Sequence, residues 1–146
     1  MVEQGLFELI TQDVGVSALV GAKAYWILAP KGATLPYLIL SRVNTADSYD
    51  FNGAKQFREG LFQISCFATD YYSSKSLGKT VRSVLQSFIG NLPDSDSTGV
   101  AAVIIAKDWD MQYEEGGRGF VYCNYIQFRV SYYDNAVSVP IDGGSF

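Results

Sequence analysis

The chain has 146 residues, 48% of them hydrophobic and 18% charged, with a formal net charge of -4. So apolar a composition excludes an intrinsically disordered chain, and the length suits one domain with a core of its own. The acidic balance, with no basic run, removes the usual electrostatic footprint of nucleic-acid binding. Aromatic residues make up 14%, including 10 Tyr. Tyr buries large area at low entropic cost and is enriched at interfaces, but an aromatic-rich sheet explains the same number. The N-terminus carries Glu3 and no apolar signal segment, and the longest strongly apolar run, residues 100–106, is too short to span a bilayer. Cys66 and Cys123 each sit in a strand pattern and read as buried free thiols. The expectation is a protein that is soluble in a reducing cytoplasm.

Taken in chain order, Val2, Leu6, Leu9 and Ile10 predict a short amphipathic helix, ended by Asp13, Val14 and Gly15. Residues 16–20 form one more helical turn, closed by Gly21. Residues 22–28 read as a short strand, and Pro30-Lys31-Gly32 as a turn. Pro36 leads into a strand over 37–43 that runs on towards Ser48. Residues 47–55 are polar and contain Asn52-Gly53, the strongest short hairpin signal. They join this strand to an antiparallel partner over 57–68, in which Phe62, Ile64, Cys66 and Ala68 share one face.

Thr69 and Asp70 are both good N-cap residues. They open the clearest helix, residues 70–89, where Leu77, Val81, Val84, Leu85 and Phe88 form one stripe at the 3.6-residue period. Gly90 and Pro93 stop it. A Ser/Asp loop follows. Residues 100–111 then read as a strand buried on both faces in its first half. Gly116-Gly117-Arg118-Gly119 is a turn, and 120–133 a long strand with Ile126, Phe128, Val130 and Tyr132 on one face. The sum is α+β: a mostly antiparallel sheet of four to five strands, one long helix packed on one face, and a small N-terminal helix. Residues 1–134 form the single domain and 135–146 a C-terminal arm.

Chemistry is sparse. The chain has no histidine, which removes Ser-His and Cys-His catalysis and imidazole metal sites. Two cysteines without CxxC spacing make no structural zinc site. No catalytic, cofactor or metal residues are assigned. Asp108, Asp110, Glu114 and Glu115 could do acid/base work or bind a divalent cation, but a solvated hairpin tip accounts for them. Gly78-Lys79-Thr80 matches the end of a phosphate-binding loop, with Asp108 as a possible metal partner. The leading glycine of that loop is missing, since Ser73 stands there. Leu77 already belongs to the helix stripe, which puts Gly78-Lys79-Thr80 inside the helix. A glycine there is unfavourable; close packing or drift explains it.

Three pieces together resemble the tail-completion proteins of long-tailed bacteriophages, which include tail terminators. Leu19-Val20-Gly21, Tyr25 and Leu35-Pro36-Tyr37 are similar to that family's opening. Residues 62–68 with Leu77, Val81-Arg82 and Leu85 look like its central strand and helix. Residues 122–133, with Phe128-Arg129-Val130, look like its closing strand. The resemblance implies a virion protein without an active site or cofactor, made in the bacterial cytoplasm. It implies a hexameric ring that caps the tail tube and joins it to the head connector, with DNA passing through the lumen unbound and no membrane partner. A nucleotide-binding enzyme, a head-side stopper and an unrelated cytoplasmic adaptor are the alternatives. Two further segments read as contact surfaces. Tyr49 and Phe51 place aromatics on the 47–55 hairpin. Val137, Val139 and Ile141 alternate before Phe146 in the terminal arm, a pattern suited to strand addition on a neighbour.

Overall fold

The computed structural model describes residues 1–49, 56–86, 88–93, 98–115 and 119–133. Three helices, α1 (Val2–Thr11), α2 (Val14–Val20) and α3 (Tyr71–Leu85), accompany six strands. These are β1 (Ala24–Trp26), β2 (Tyr37–Tyr49), β3 (Gln56–Ala68), β4 (Gly90–Asn91), β5 (Gly99–Glu115) and β6 (Gly119–Tyr133). They make one sheet in the order β1-β2-β3-β6-β5-β4. The α+β class stands, but the sheet is mixed and larger than four to five strands, because β1 joins β2 in parallel and β4 adds a short edge.

The 3.6-residue stripe of α3 drives its packing. Leu77, Val81 and Leu85 are fully buried, with Val84 and Phe88 packed half-buried against the same core. They meet Ile64, Phe62, Phe128 and Val130 from the central strands, and Phe62 stacks on Phe128 with centroids 5.8 Å apart. Asp70 caps the helix, its carboxylate accepting from the Ser73 amide at 2.8 Å. This bond holds the Asp70 carboxyl below its ordinary pKa. The helix ends at Leu85 and not at 89, with Gln86 already in extended backbone. The early exit lets the chain run Phe88 along the core and turn at Gly90 (φ +130°) to reach the edge of β5.

At the N-terminus, Asp13 does not end α1. It caps α2 by accepting from the Val16 amide at 3.1 Å, and Val14 and Gly15 are that helix's first residues. Leu6, Ile10, Val16 and Val20 bury both short helices on the same sheet face as α3. The β2–β3 pairing is antiparallel and runs from Tyr37↔Phe67 out to Tyr49↔Gln56. The Asn52-Gly53 connection itself lies outside the described residues, as do Gly116, Gly117 and Arg118.

β5 departs from expectation. Its first half is not buried on both faces: Val100 and Val103 are buried, while Ile104 is 59% exposed. Register shifts between Val100 and Ala102 and between Ile105 and Lys107 re-aim the alternation. The physical reason is that the helices cover one sheet face only, and Ile104 points to the other.

Candidate functional site

Strand alternation sends one set of side chains towards the helices and the other to the open face. On the open face the strands contribute one ring each. Tyr25 of β1 packs edge-on against Tyr37 of β2 at 5.9 Å, and Tyr37 meets Phe67 of β3 at 5.1 Å. Phe67 meets Tyr125 of β6 at 6.4 Å, and Tyr125 stacks on Trp109 of β5 at 5.1 Å. The result is an aromatic row across five of the six strands, within the range of favourable ring pairs. The hydroxyls of Tyr113 and Tyr125 share a hydrogen bond, and burial raises the Tyr125 pKa. Most of these rings are half-buried, and Met111 and Tyr113 extend the row into solvent. Composition announced the aromatics; only the cross-strand register aligns them.

On the covered face, Asn124 is buried between β5 and α3. Its side-chain amide donates to Asp108 Oδ1 at 2.8 Å and to Asp110 Oδ1 at 3.0 Å. Arg82 donates to Asp108 Oδ2 at 2.7 Å, and Lys75 to Asp110 Oδ2 at 3.4 Å. Two of the four clustered acids are therefore in mid-strand alongside α3, paired with its basic side chains, and not on a solvated tip. Among the described residues no group of three or more acids, cysteines or histidines is arranged to hold a metal ion. Gly78 lies directly over Asn124: a Cβ there would stand 2.9 Å from Asn124 Cγ. Close packing, one of the two explanations open from sequence, accounts for this glycine.

Gly78, Lys79 and Thr80 all lie inside α3, and Lys79 is exposed. Their backbone amides are used by the helix, so no open loop exists there to cradle a phosphate. Both cysteines are free and buried. Burial pushes the Cys66 thiol far up and the Cys123 thiol up to about 12. Neither is a nucleophile at neutral pH.

Of the predicted contact residues, Tyr49 ends β2 opposite Gln56. Phe51, Val137, Val139, Ile141 and Phe146 lie outside the described residues. The short strand expected over residues 22–28 is present as β1, but no site was expected beside it. There Trp26 stacks on Phe7 of α1 at 5.3 Å. A cavity of about 480 Å³ opens beside it, lined by Met1, Glu3, Gln4, Trp26, Ile27 and Arg42. Among the described residues no helix is long and apolar enough to cross a membrane.

This fold recurs in a chain of a particle described as "Virion of native gene transfer agent (GTA) particle". The match has a TM-score of 0.70 at 18% identity and covers 90% of this chain and 94% of that one. No curated protein gives a match. The profile described as "Tail completion protein gp17" matches residues 4–103, from α1 through the first part of β5. The chain belongs to the bacteriophage tail-completion protein gp17 family.

Proposed function

We propose that this protein is a tail terminator: a non-enzymatic virion component that forms a ring, hexameric by family resemblance, on the head-proximal end of the tail tube and joins it to the head connector. Family membership over residues 4–103 carries the reading. The physical features agree with it. The open sheet face bears an aromatic row suited to contact with other proteins. The net charge of -4 suits a DNA passage, because a basic lumen would hold phosphates through counterion release. Tyr49 and Phe51 on the β2–β3 hairpin make the contact with the tube or connector, and the arm bearing Val137, Val139, Ile141 and Phe146 ties one subunit to the next.

Electron microscopy of purified protein, alone and mixed with tails assembled without it, tests the proposal. Rings that cap the tails are the expected result. Protein that remains monomeric and ignores tails would defeat it, and rings that bind only filled heads would assign the head-side stopper role instead. Replacing Tyr49 and Phe51 together by Ser leaves rings intact and blocks tail capping; unaffected capping removes the hairpin from the contact.

A further inference from the structure

The two ends of the sheet match each other. β1 is three residues long, and its last residue leads into a γ-turn in which the Leu28 amide donates to the Trp26 carbonyl at 2.6 Å. The central residue, Ile27, has φ +66° and is the one non-glycine in the left-handed region among the described residues. A β-branched side chain there is strained, and retained strain marks places where something other than local stability selects the geometry. What the turn achieves is display: Ile27 is 75% and Leu28 77% exposed. At the other end, among the described residues, β4 pairs only with Gly99 and Val100, leaving the outer edge of β5 from Ala101 onward without a partner strand. Ile104 and Ile89 are exposed near that edge. Long unpaired edges are templates for another chain.

Direction and level agree as well. The row through Leu38 continues across Cys66 and Asn124 to Asp110, and Ala24 lies beside Leu38. The next row but one runs from Trp26 through Leu40, Ile64 and Ile126 to Asp108. β1 and the second half of β5 thus occupy the same rows at opposite ends of one sheet, and they run antiparallel. A second copy set beside the first meets it with β1 against β5 at the same level. Charge is complementary too. Residues 21–36 carry Lys23 and Lys31 and no acid. Among the described residues Lys23 reaches neutral acceptors, Thr34 Oγ1 at 3.5 Å and the Leu35 carbonyl at 3.4 Å. By the same rows Lys23 falls at the level of Met111, and Glu114, which is exposed, lies three residues further along β5.

We infer that successive copies join head to tail, the β1 edge with Ile27 and Leu28 of one docking on the β5 edge of the next, with Lys23 of the first near Glu114 of the second. This inference rests on the ring proposal and specifies its joint. A heterologous contact of this kind closes into a ring when the rotation per subunit permits.

The test measures assembly of the full chain by native mass spectrometry and light scattering across protein concentration, with circular dichroism to confirm folding. Lys23→Glu, and separately Glu114→Lys, should each raise the concentration needed for assembly at least tenfold. Mixing the two variants should restore hetero-assemblies, since each supplies the reversed partner of the other's changed edge. Ile27→Ser with Leu28→Ser should weaken assembly while the monomer keeps its fold. Assembly unchanged by these reversals, or no rescue on mixing, overturns the joint. If they have no effect and deletion of 136–146 alone abolishes rings, the arm is the occupant of the β5 edge. A wild-type protein that never assembles defeats the ring proposal itself, a distinguishable result.

Discussion

Gly78 illustrates how one atom's worth of space ties helix to sheet. An alanine in a helix interior is normally favoured over glycine by up to about 1 kcal/mol. Here the added methyl would collide with the Asn124 side chain, whose amide is held by Asp108 and Asp110. Gly78→Ala is therefore expected to destabilise by about 1–3 kcal/mol, seen as a lower urea midpoint with an unchanged m-value. A stabilised variant would show that the network under α3 yields. The cysteines give a second check at this scale. With Cys123 at a pKa of about 12 and Cys66 higher still, both are protonated at pH 7 and shielded. A maleimide should label neither in the native protein and both after unfolding. Rapid native labelling of Cys66 would mean that α3 lifts from the sheet.

At the scale of the element, α3 is the piece on which the core depends. Leu85 sits in its last turn, fully buried. Leu85→Ala should cost about 2–5 kcal/mol through lost transfer energy and a residual cavity, measured by equilibrium unfolding. A loss below about 1 kcal/mol would mean that the helix end collapses onto the gap. The two ion pairs along α3, Arg82 with Asp108 and Lys75 with Asp110, are partly exposed. Pairs of that kind contribute about 0–1 kcal/mol each. The stripe, and not the charges, holds the helix down.

For the whole molecule, among the described residues, helices seal one face of the sheet and none covers the other. Among the described residues no strand pairs with the outer edge of β1 or with that of β5 beyond Val100. Under the ring proposal, this uncovered apolar and backbone surface is where neighbouring proteins dock. Removing residues 136–146 is expected to leave a folded monomer, with circular dichroism and unfolding midpoint close to wild type, that fails to form stable rings. Unfolding of the shortened chain, or normal rings, would refute the arm's role.

How much of this was legible in advance follows from the range of the forces involved. Periodicity is local, so the stripe of Leu77, Val81 and Leu85, the alternation of Ile126, Phe128 and Val130, and the antiparallel link between β2 and β3 could be read from residue order alone. The sequence also sufficed for the family and for placing Gly78-Lys79-Thr80 inside a helix. It did not suffice for the parallel docking of β1, the two shifts of register in β5, the early end of α3 or the aromatic row. Nor did it place Asp108 and Asp110 alongside α3. Each of these depends on partners distant in the chain: Cys66 faces Asn124, and Tyr25 meets Tyr37 only because β1 returns alongside β2. A strand's own pattern says that its side chains alternate. Which set meets the helices, and which is left uncovered by them, is decided only when the whole sheet pairs and the helices settle on one face.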